Sequence, residues 1–77
     1  MLLDVVVMNP QKVVFEGKAK SVQLPGEEGV FEVLPFHKPI VSRLISGTLS
    51  IDSEHIFLMR GVVKVAKNKV TVIIEEE

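Results

Sequence analysis

Apolar residues along this chain recur every second position or in short runs, and no helix-length stretch spaces them at intervals of three, four and seven. Leu2 to Met8 is apolar apart from Asp4 and stops at Asn9-Pro10, where a turn-opening residue precedes one that cannot extend a central strand. Val13-Val14-Phe15 is read as a short strand ended by Glu16-Gly17. Residues 18 to 24 then alternate polar and apolar, as a half-buried strand does. Pro25-Gly26-Glu27-Glu28-Gly29 is a tight acidic turn, and Val30 to Leu34 is the next strand, with Glu32 in its middle. Two prolines hold Pro35-Phe36-His37-Lys38-Pro39 out of regular structure. Strands follow at Ile40 to Ile45, at Thr48 to Ile51 and at Glu54 to Arg60, the last ending at Gly61. Ser46-Gly47 and Asp52-Ser53 are the turns between them. Val62 to Ala66 and Val70 to Ile74 flank Lys67-Asn68-Lys69, read as a three-residue hairpin connection in which Asn68 takes positive φ cheaply.

This pattern predicts an all-β fold, a two-layer and mainly antiparallel β-sandwich of about eight to ten short strands, in one domain over residues 1–77. A sandwich is preferred to a barrel because Val5-Val6-Val7, Val62-Val63 and Ile73-Ile74 place apolar residues on both faces of their strands. One face then meets the opposing layer and the other a neighbouring protein. The alternative is that these doublets sit at barrel corners or strand ends. In the last strand Val70, Val72 and Ile74 share one face, and Thr71, Ile73 and Glu75 the other.

Composition sharpens the picture. Fourteen Val and six Ile among 77 residues favour pleated surfaces over helices. A chain of this size buries only about 60% of the surface its unfolded form exposes, so it supports one core. There is no cysteine to staple that core or to bind a metal as thiolate. Nine Lys and Arg against ten Asp and Glu give no basic stripe, and Trp and Tyr are absent, so nucleic-acid binding is set aside. No apolar run reaches the roughly 20 residues of a membrane span, and the N-terminus lacks the order of a signal peptide. The expectation is an intracellular chain, or one not exported by a signal of its own, with no direct membrane insertion.

Candidate chemistry is sparse. His37 and His55 lack a third ligand at recognisable spacing, so no metal site is expected. Ser21, Ser42, Ser46, Ser50 and Ser53 lie in no nucleophile elbow. Glu27-Glu28 is plain solvated charge, and the glycines around it have neither the spacing nor the lysine of a phosphate loop. No cofactor and no catalytic residue is assigned, and the chain is expected not to be an enzyme by itself.

Three blocks do carry a resemblance. Asn9-Pro10-Gln11-Lys12-Val13-Val14-Phe15-Glu16-Gly17, then Val22 to Pro35 with His37 and Pro39, then Asn68-Lys69-Val70-Thr71-Val72, follow one another over nearly the whole chain. Together they resemble the epsilon subunit of the F-type ATP synthase. The resemblance implies a flattened sandwich at the foot of the rotor, docked on the gamma subunit and touching the c-ring. Its role there is mechanical, fastening the central stalk so that proton-driven rotation reaches catalytic sites elsewhere. It implies a place on the membrane through the complex, at the cytoplasmic face of the bacterial inner membrane or its organellar equivalent. By the same resemblance Gly29 and Val30 lie on the c-ring side, with Val30 where some members carry an acidic residue. Asn9, His37 and Ser42 match positions on the gamma side.

The departures from the family pattern are specific. Phe36 and Glu32 stand where the family usually has Gly, Lys38 where it has Ala, and Arg60-Gly61 where it has a Gly pair. Phe36 either changes the turn or inserts into a partner, and it joins the gamma-side set on that basis. Most members continue into two C-terminal helices that restrain hydrolysis. No such helical hairpin follows Glu75-Glu76-Glu77, so a complete chain would couple without latching and without sensing ATP. The alternatives are a generic β-sandwich interaction module in another assembly, and a small barrel enzyme or ligand carrier with an interior pocket.

Overall fold

A computed structural model describes residues 1–76 of the chain, and Glu77, the last of the terminal glutamates, lies outside the described residues. Nine strands make up the fold: β1 Leu3–Met8, β2 Val13–Ala19, β3 Val22–Gly26, β4 Gly29–Val33, β5 Ile40–Leu44, β6 Gly47–Ile51, β7 Glu54–Leu58, β8 Arg60–Ala66 and β9 Lys69–Glu75. No helix occurs among the described residues. The fold is all-β, as the alternation predicts.

Hydrogen-bonded neighbours run β2-β1-β9-β8-β5-β3-β6-β7, and β4 pairs with β3 as well. Every pairing is antiparallel except β1 with β9. β5 and β3 meet through one residue pair, Leu44 with Gly26. The sheet curls there, so β2-β1-β9-β8-β5 forms one layer and β4-β3-β6-β7 the other. The two layers are thus halves of one continuous sheet.

Between them Leu3, Val5, Val7, Leu24, Leu49, Ile51, Leu58, Val63, Val70, Val72 and Ile74 form one closed apolar cluster. Among the described residues no polar or charged side chain is buried. The radius of gyration is 11.0 Å, close to the ~11.5 Å expected of a compact chain of this length. Leu, Ile and Val fill most of the interior, at every second residue of β1, β8 and β9.

Several boundaries differ from expectation, each for a local reason. β2 runs on through Glu16-Gly17, because both residues pair with β1, Glu16 with Val6 and Gly17 with Val5. Pro25 lies inside β3, where the strand changes neighbours; its carbonyl accepts the Ile45 N–H at 2.9 Å. Gly61 does not end a strand. β7 stops at Leu58, and Gly61 sits within β8 opposite Ile74. The β8–β9 connection has two residues rather than three, since Ala66 pairs with Lys69. Lys67 and Asn68 both take left-handed φ, 52° and 61°, as a type I′ turn requires.

Candidate docking surfaces

Antiparallel order gives the sandwich two ends. At one lie the β1–β2 turn, the Gly26–Gly29 turn and the β9 terminus. At the other lie the β2–β3 link, the Asp52 turn, the Leu34–Pro39 loop and the Lys67-Asn68 turn. The site residues predicted from sequence fall into three groups on this frame.

At the first end Gly26 pairs with Gly29, so Glu27-Glu28 is the two-residue turn of a hairpin. Gly29 has φ 124°, a left-handed conformation that a side chain would oppose. Val30 follows it with 71% of its surface exposed. Gly29, Val30 and Ser42 line one shallow, open hollow with Phe31 and Glu27-Glu28. Asn9 is at the same end but in the other layer. Its Oδ1 accepts the amides of Gln11 at 2.8 Å and Lys12 at 2.9 Å, closing an Asx turn, and its Nδ2 donates to Glu76 Oε1 at 2.8 Å.

Phe36 and His37 occupy the far end. Phe36 has φ 68° and a ring that is 74% exposed. The left-handed conformation is adopted here by a bulky residue, so the turn at this position does not require Gly. His37 N–H donates to the Leu34 carbonyl at 3.1 Å, and its Nδ1 lies 2.7 Å from the Lys38 carbonyl. A carbonyl only accepts, so Nδ1 carries the proton. The four gamma-side residues therefore do not form one patch: Asn9 and Ser42 stand apart from Phe36 and His37.

A third surface is legible only once register is known. Met8 lies opposite Ile73, and Ile73 opposite Val62, on the outer face of the first layer. Ile73 is 50% and Val62 43% exposed, and Val6 and Val41 stand in the adjoining row with Thr71 and Lys64. An apolar row thus crosses β1, β9 and β8 on the side away from the core and meets Arg43 on β5, with Val41 exposed beyond Lys64. The Val-Val and Ile-Ile doublets are its signal: in each, one member is buried and the other faces out.

Among the described residues no three His, Asp or Glu side chains converge as a metal ion needs. Ser50 Oγ and His55 Nδ1 are 3.0 Å apart across β6 and β7, on an exposed face. That arrangement lacks the third, orienting group of a hydrolytic triad. Exposed apolar side chains on two ends and one face, set on a core with no buried polar side chain among the described residues, define a small all-β domain with uncovered apolar surface.

The comparisons with known proteins identify which one. Residues 2–76 match the family described as ATP synthase, Delta/Epsilon chain, beta-sandwich domain, and the chain belongs to that family. It is 40% identical over 76 residues to the ATP synthase epsilon chain of Bordetella avium, covering 92% of this chain and 54% of that one. It is 37% identical over 78 residues to the ATP synthase epsilon chain of Nitratiruptor sp., covering 95% and 60%. The chain therefore spans a little over half the length of these relatives. A chain in the Euglena gracilis mitochondrial ATP synthase structure (OSCP/F1/c-ring) superposes with a TM-score of 0.89 at 17% identity, over 97% of this chain and 51% of that one. At that identity the likeness shows the fold.

Proposed function

We propose that this domain is the sandwich of an epsilon-type central-stalk subunit in a proton-translocating F-type ATP synthase. It fastens the gamma subunit to the c-ring so that rotation is transmitted, and it contributes no catalytic group of its own. The observation that carries this reading is the family match along residues 2–76, on a domain with apolar surface directed outward at three places. A closed core plus uncovered apolar surface is what a docking part needs and what a free-standing module avoids. In this reading Gly29 and Val30 face the c-ring, and Asn9, Phe36, His37 and Ser42 serve the gamma side. The domain is held at the membrane through the complex, at the cytoplasmic face of the bacterial inner membrane or its organellar equivalent, with no segment inserted.

Co-expression with tagged gamma subunit and c-ring tests the reading. Stoichiometric recovery of the chain with both is the expected result. Recovery with neither, from a folded protein, removes the proposal.

A further inference from the structure

Asn68 does two things at once. In the β8–β9 turn it takes φ 61° and its carbonyl accepts the Asp4 amide at 2.9 Å, tying the hairpin to β1. Its side-chain Oδ1 reaches across to accept the Phe36 N–H at 2.6 Å. Phe36 is itself left-handed, with φ 68° and an exposed ring. A bulky residue is disfavoured in that conformation and stays there only when its surroundings hold it. The bond from Asn68 is the tether that crosses to it from outside its own loop, 32 residues away in sequence.

We propose that Asn68 is a positioning residue for docking: it presets the Phe36 ring as a fixed tip that enters an apolar pocket bordered by carboxylates on a rotor protein. The proposal rests on the docking reading above and adds to it the residue that aims the tip and the chemistry of the surface it meets. His37 and Lys38 follow Phe36 in the chain, and Lys67 precedes Asn68. Lysines outnumber acids at this end: Lys20, Lys38, Lys67 and Lys69 stand against Asp52 and Glu54 of the β6–β7 turn, and Asp4 is paired with Lys18 at 2.6 Å. The tip is therefore an aromatic ring with Lys38 and Lys67 close to it in the two segments that the Asn68 bond joins. A protein pocket is favoured over a lipid surface because insertion into fluid lipid makes no use of a ring fixed in direction.

The test compares Asn68→Gly, which keeps the left-handed turn and removes the acceptor, with Asn68→Asp, which restores an acceptor oxygen, and with Phe36→Asp. Binding to the gamma–c-ring assembly and amide exchange at residue 36 are measured on each. Asn68→Gly is expected to speed Phe36 exchange and to weaken binding about tenfold, as when a tenth of the molecules remain competent, with Asn68→Asp recovering the slow exchange. Loss of binding in Phe36→Asp alongside wild-type binding in Asn68→Gly overturns the positioning role and leaves the docking reading standing. Undiminished binding in Phe36→Asp overturns the docking reading of this loop as well. Co-sedimentation with anionic phospholipid vesicles that depends on Phe36 overturns the choice of a protein partner.

Discussion

The Ile73 carbonyl oxygen passes 2.6 Å from the point where a Cβ on Gly61 would stand. Gly61 faces the core side of β8, between Leu44 of β5 and Ile74 of β9. The obstruction is backbone, which cannot rotate away as a side-chain end could. Gly61→Ala must therefore separate two paired strands. It is expected to cost about 2 kcal/mol, in the range of overpacking, and to lower the melting temperature by about 8–16 °C for a domain this small. A thermal melt followed by circular dichroism decides it, and an unchanged midpoint would refute the close approach.

Val72 sits with no exposed surface between Val7 of β1 and Val63 of β8. Val72→Asp places a carboxylate in a core that offers no polar partner, at a cost of several kcal/mol. Loss of the β-type circular dichroism spectrum at room temperature is the expected outcome. A folded Val72→Asp protein would mean that the core is less closed than described.

Asp52 closes the β6–β7 turn at φ 51°, and its carboxylate accepts the Lys20 and Ser21 amides at 3.1 Å. Asp52→Gly and Asp52→Ala both remove the acceptor, but Gly also frees the left-handed residue of its Cβ, a relief of about 1–2 kcal/mol that Ala does not provide. Urea midpoints are expected to fall in the order wild type, Gly variant, Ala variant. An Ala variant as stable as the Gly variant would show that the turn relaxes when the clasp is lost.

Most strands were legible because alternation and β-branching carry them locally. The alternating run 18 to 24, however, is not one strand: β2 ends at Ala19 and β3 begins at Val22, where the Asp52 carboxylate accepts the Lys20 and Ser21 amides. Val70, Val72 and Ile74 share the buried face, as their spacing says. What local pattern could not show depends on which strand lies beside which. Gly17 and Gly61 read as breakers, yet both lie in mid-strand, Gly17 opposite Val5 and Gly61 where the β9 backbone leaves no space for a Cβ. The bond from Asn68 to Phe36 joins residues whose proximity follows from the topology alone. Of the site, the doublets announced an outward apolar surface, but its extension to Met8 needed the register of three strands.

That outer band gives a prediction that separates docking from folding. Val62→Thr combined with Ile73→Thr keeps β-branched shape at half-exposed positions. Stability is expected to change by less than about 1 kcal/mol, as for surface substitutions. Binding to the rotor assembly is expected to weaken. Calorimetric titration beside a denaturant curve reads both, and a loss confined to stability would assign the band to the fold.

The most direct measurement is the affinity of the wild-type chain, and of Val30→Asp and Phe36→Asp, for a purified assembly of gamma subunit and c-ring. Val30 and Phe36 are exposed at opposite ends of the sandwich, so both variants are expected to fold as wild type does. Saturable one-to-one binding by the wild type, weakened in each variant with unchanged melting temperature, is the result the docking reading requires. Absence of binding by the folded wild type, or equal binding by all three, would contradict it.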